Sequence, residues 1–129
     1  MLITGPPKEI SDGLTMLGTD EYPIYLFQAG ERAAVFEGGT GAMGPLLKEQ
    51  FARLEIDPAA VKQAIITHAH PDHVMAIPMF SDLFPGVTVA ASEIGAKTLA
   101  FEKAVAAFCQ IDEALTGAML QAGRITEGH

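Results

Sequence analysis

The chain has 129 residues, 49% of them hydrophobic and 19% charged, with a formal net charge of −8. That length suits one domain with a compact core, and that composition lies far from the disordered regime. Eight basic residues without a run argue against a nucleic-acid backbone binder, and the single cysteine excludes an intramolecular disulfide.

The first six residues lack the basic and long apolar regions of a signal peptide, and no run approaches a membrane span. The cytoplasm is the expected compartment. A coarse pass for apolar, β-prone runs predicts strands over Ile10–Leu17, Ile24–Gln28 and Arg32–Glu37. Gly38-Gly39-Thr40-Gly41 reads as a tight turn, followed by a helix over Gly44–Leu54. Further strands are expected at Gln63–Thr67 and Thr88–Ala91, around a helix at Val74–Phe84. Ser92 reads as an N-cap, and residues 95–123 carry Phe101, Val105, Phe108, Leu115 and Met119 at helical spacing. Such a stripe reads as core or as a surface for a packing partner. Cys109 within it reads as a small core hydrophobe.

The turn Gly39-Thr40-Gly41-Ala42-Met43-Gly44 fits G-x-G-x-x-G between a strand and a helix. A dinucleotide site also needs an acidic residue closing the next strand. Here that strand runs into His68 instead, so no nucleotide cofactor is expected.

The segment His68-Ala69-His70-Pro71-Asp72-His73 holds three of the four histidines around one aspartate. A random chain of this composition shows H-x-H-x-D-H about twice in ten thousand sequences. Neutral imidazoles and a carboxylate are the donors a borderline metal such as zinc prefers. Val61 to Thr67 is an apolar, β-branched run, so the histidines fall at a strand's carboxyl end, where open α/β sheets place their sites. Strand alternation would send His68 and His70 to one side. Pro71 stops the strand, and Asp72 and His73 then open a helix facing a second metal position.

Thr67 to His73 resembles the signature loop of the metallo-β-lactamase fold superfamily, with the upstream strands, glycine turn and first helix matching in order. The resemblance implies an α/β fold, half of an αββα sandwich with a mixed sheet and flanking helices. By it, residues 1–129 form a single domain covering the N-terminal half, with 95–123 the least family-like part. It implies that His68 and His70 bind a first zinc ion, and Asp72 and His73 a second. Glu37 stands where many members have Asp and, with Thr67, is expected to support the loop from behind the ligands. The third histidine of the family pattern has no clear counterpart; the one remaining candidate, His129, lacks the surrounding pattern.

The expected function is a metal-dependent hydrolase acting on a small ester, thioester, lactone, amide or phosphoester. Asp72 is the expected catalytic residue, orienting the attacking water or moving its proton. Two alternatives use the same ligands: an iron-dependent redox enzyme of the oxygen reductase or persulfide dioxygenase type, or an inactive half-domain serving as a metal-binding or assembly module. A homo-oligomer, or a missing C-terminal half, is expected to cover the second face of the sheet. A small-molecule substrate is the expected partner, with no nucleic acid and no membrane.

Overall fold

The computed structural model describes residues 2–126; the expectation for His129 lies outside them. Six strands form one mixed sheet in sequence order: β1 (Lys8–Ser11), β2 (Leu14–Gly18), β3 (Pro23–Ala29), β4 (Arg32–Phe36), β5 (Val61–Ile65) and β6 (Thr88–Ala90). The first four pair antiparallel, and β5 and β6 add in parallel. Each parallel step requires a crossover. One is α1 (Met43–Arg53); the other holds α2 (Pro71–Val74) and α3 (Ile77–Leu83). After β6 come α4 (Glu93–Leu99) and α5 (Glu102–Gln121).

Three expectations about elements need correction. Ile10–Leu17 is not one strand, because Asp12-Gly13 turns the chain and Gly13 takes φ +77°. Asp-Gly is the strongest short hairpin signal, and it outweighs the continuous β pattern. Val74–Phe84 is not one helix. Pro78 lacks the N–H a continuous helix would use, and the Met75 and Ala76 amides donate to Gly39 O and Gly38 O instead, at 2.9 and 2.8 Å. Residues 95–123 divide into two helices at Ala100–Phe101, with the Ser92 hydroxyl accepting from Gly95 N at 3.0 Å as the expected cap.

Strand alternation places Leu17, Ile24, Leu26, Val35 and Ala64 on one face of the sheet. There they meet Met43, Leu47 and Phe51 of α1, together with Phe80 and Phe84 in and after α3, in one buried cluster. The Phe84 ring lies 5.2 Å from both Phe51 and Phe80, centroid to centroid. The opposite face pairs Leu14 with Phe27, Tyr25 with Phe36, and Phe36 with Ile65. Phe27 is 47% exposed there and the other four are half-buried, so this apolar face is only partly covered.

The stripe on α5 is likewise only partly core. Its buried residues are Asp112, Thr116 and Met119, while Phe101 is exposed. Cys109 is exposed too, correcting its expected burial.

Candidate metal centre

The loop leaves β5 at Ile65, and its first residues are anchored on both sides. Ile66 N donates to Ala90 O at 2.9 Å, and Glu37 N to Ile65 O at 2.8 Å. The chain then turns through His68–His70 into α2, where Pro71 takes the first-turn position that needs no N–H. The glycine turn lies directly against this short helix: Gly38 N donates to His73 O at 2.8 Å. A Cβ on Gly38 would stand 2.9 Å from that oxygen and 2.6 Å from Ile77 Cγ1, so only glycine lets the two segments approach this closely.

Three histidine rings gather here. His68 and His73 have centroids 4.0 Å apart, and His68 and His70 meet edge-on at 4.7 Å. Glu37, His68 and His73 each offer one ligand atom, all within 4.8 Å of one another. His70 and Asp72 stand outside that tight trio, although Asp72 Oδ2 comes within 3.4 Å of His73 Nε2. Glu37 is the member the sequence pattern placed behind the ligands, and its hydrogen bonds keep it there. Oε2 faces His73 Nδ1 at 2.8 Å, and Oε1 accepts from the Thr67 hydroxyl. Both oxygens are thus engaged on groups that carry or neighbour the ligands.

This network selects the nitrogen each ring presents. Thr67 has one hydroxyl proton, and it goes to Glu37. The 2.9 Å contact between Thr67 Oγ1 and His68 Nδ1 therefore runs from ring to hydroxyl, leaving the lone pair of His68 on Nε2. His73 likewise donates from Nδ1 to Glu37 and keeps its lone pair on Nε2. That lone pair faces the Asp72 carboxylate. With the ring neutral, that pair of acceptors can share a cation; with the ring protonated, it is an ion pair. The donor set of imidazole nitrogens and carboxylate fits zinc, and the carboxylate behind a ligating histidine is the usual support for it.

Glu37 holds its position at a conformational cost. Its φ is +88°, a region that L side chains rarely adopt and one that concentrates at functional sites.

At the amino end of α1 the Gly41 amide already donates, at 2.7 Å, to Asp112 Oδ1, a buried carboxylate of α5. A phosphate there would meet that carboxylate. The sequence offered no signal for Asp112, because it stands 71 positions away with no local partner pattern.

The structure is thus an α/β sheet with a histidine- and carboxylate-bearing loop at a strand's carboxyl end. Residues 17–126 match the family model of the metallo-beta-lactamase superfamily, and the chain belongs to that superfamily. Solved structures with the same fold include a metallo-beta-lactamase of Cronobacter sakazakii with a HARLDQ motif, at TM-score 0.68 and 22% identity over 75% of this chain and 37% of that one. BJP-1, a subclass B3 enzyme of Bradyrhizobium japonicum, superposes at TM-score 0.64 and 21% identity, covering 73% of this chain and 35% of its own. MEM-A1, a subclass B3 enzyme from a soil metagenome, superposes at 0.68 and 23%, covering 76% and 37%. The chain thus spans a little over a third of the length of these proteins.

Proposed function

We propose that the chain is the ligand-bearing part of a metal-dependent hydrolase acting on a small ester, thioester, lactone, amide or phosphoester. The observation that carries this reading is the paired Nδ1 donation, His68 to Thr67 and His73 to Glu37, which frees both Nε2 atoms for a metal. His68 and His70 would hold one zinc ion, and Asp72 and His73 a second. Bound zinc would lower the pKa of a water toward about 7 and polarise the carbonyl or phosphoryl oxygen under attack.

The protein's own residues supply the rest. Thr67 and Glu37 orient the His68 and His73 rings before a metal arrives. Asp72 has two carboxylate oxygens; with one directed at the metal, the other can accept a proton from the attacking water and return it to the leaving group.

The apolar sheet face bearing Leu14, Tyr25, Phe27, Phe36 and Ile65 supports a second layer over it in the working protein, from a further half or another copy. We place the protein in the cytoplasm on composition; among the described residues no helix is long and apolar enough to cross a membrane.

Elemental analysis of the purified protein tests this reading. Two zinc ions per chain support the hydrolase, iron with a visible absorption band the redox enzyme, and substoichiometric metal an assembly module. His68→Ala and Asp72→Ala should each abolish metal retention, and unchanged metal content in both would refute the ligand assignment.

A further inference from the structure

We propose that Asp112 is a positioning residue for the metal loop, through which α5 holds the glycine turn in register with α2. This inference rests on the metal-centre reading above.

The turn at residues 38–41 is held from two sides. Toward α2, Gly38 N donates to His73 O, and Gly38 O and Gly39 O accept from Ala76 and Met75, all at 2.8–2.9 Å. Toward α5, Gly41 N donates to Asp112 Oδ1 at 2.7 Å, and the Thr40 hydroxyl meets Met119 Sδ at 3.8 Å. Asp112, Thr116 and Met119 are spaced i, i+4 and i+7, one face of the helix, and all three are buried. The same helix also packs against α2. The turn is therefore the bridge between α5 and the segment carrying Asp72 and His73.

A local cap would have sufficed for α1 alone. Its N-cap residue is Ala42, which offers no side-chain hydrogen bond. The carboxylate comes instead from 71 positions away, at 1% exposure. Burying a carboxylate is costly unless it is well partnered, and the amino end of a helix is a favourable place for one. A long-range buried carboxylate does what a serine at position 42 could not: it ties the turn to a second element. Movement of the turn would shift His73 through Gly38 and Glu37 through the chain itself. Asp112 thereby sets the ligand geometry without touching the metal.

The test is zinc affinity, measured by competition with a chromophoric chelator, on the wild-type chain and on Asp112→Ala and Asp112→Asn. Asp112→Ala should weaken zinc binding about tenfold, the low end of the effect of losing a supporting group around a metal site. Asp112→Asn keeps an acceptor oxygen for Gly41 N and should bind within about twofold of wild type. An Ala variant that melts earlier yet binds zinc like wild type would overturn the proposal, because its role would then be structural only. An Asn variant as weak as Ala would overturn the hydrogen-bond account.

Should Asp112→Ala not fold, amide exchange on the wild-type chain decides. By linkage, zinc must tighten whatever helps to hold zinc. The Gly41 amide should exchange about tenfold more slowly at saturating zinc than without it, and exchange unchanged by zinc would refute the coupling. A wild-type chain that takes up no zinc would sink the metal centre and this inference with it, whereas uptake unaffected by Asp112→Ala would sink this inference alone.

Discussion

Replacing Glu37 separates the stability of the site from that of the fold. Its carboxylate accepts from Thr67 at one oxygen and from His73 Nδ1 at the other, with the Glu37 side chain 13% exposed. In Glu37→Gln one of those oxygens becomes an NH2 group, so a donor must face either the Thr67 hydroxyl or the His73 N–H. Losing such a support costs about 10–100-fold in metal affinity, equivalent to ~1.4–2.7 kcal/mol of binding energy. Glu37→Gly removes the same support but also relieves the backbone at φ +88°, worth ~1–3 kcal/mol. Against that stand ~1 kcal/mol for the freedom glycine gains in the unfolded chain and ~1.5–3 kcal/mol for the lost charged hydrogen bond. Unfolding free energy should therefore range from about 0.5 kcal/mol more stable to about 3 kcal/mol less stable than wild type. The assay pairs chelator competition for zinc with urea denaturation of the metal-free chain. The expected pattern is affinity lowered at least tenfold in both variants, with Glu37→Gly still cooperatively folded. Zinc affinity within twofold of wild type in Glu37→Gln would refute the reasoning, because it would mean that the ring orientation of His73 does not depend on this carboxylate.

Gly38→Ala should destabilise the chain by about 1–3 kcal/mol in urea, since its Cβ would press on Ile77 and on the His73 carbonyl oxygen. Gln50→Leu should cost ~2–3 kcal/mol by the same measurement: the amide of Gln50, 2% exposed, closes both backbone groups of Gly18, at 2.8 and 3.0 Å, and leucine leaves them unpaired in the core. Cys109 should react fully with a thiol reagent under native conditions at the rate of a free thiol, and a reaction seen only after denaturation would contradict its exposed position on α5.

Much of the sheet was legible because its cues are local. Ile24 to Phe27 and Ala33 to Phe36 are short apolar runs, and the helix expected at Gly44–Leu54 lies within one residue of Met43–Arg53. The errors arose where a backbone demand outweighed a side-chain pattern. Asp12-Gly13 folded an apparent strand into a hairpin, and Pro78 divided an apparent helix whose freed amides went to the glycine turn. The stripe on α5 misled for another reason: periodicity shows that a helix has an apolar side, not how much of it finds cover. Phe101 and Cys109 remain exposed, while Asp112 is among the most deeply buried residues.

What the sequence determined by itself was the clustering of three imidazoles and a carboxylate in six consecutive residues, whose spacing survives any fold. The tertiary structure decided how those donors are aimed. Glu37 lies 36 positions from His73, and Asp112 lies 71 from Gly41. A hydrogen bond between them depends on where strands and helices bring the backbone, and pairing over such distances leaves no periodic trace in the chain. The ligands are a local property, whereas their support comes from elements that only the folded sheet and helices bring together.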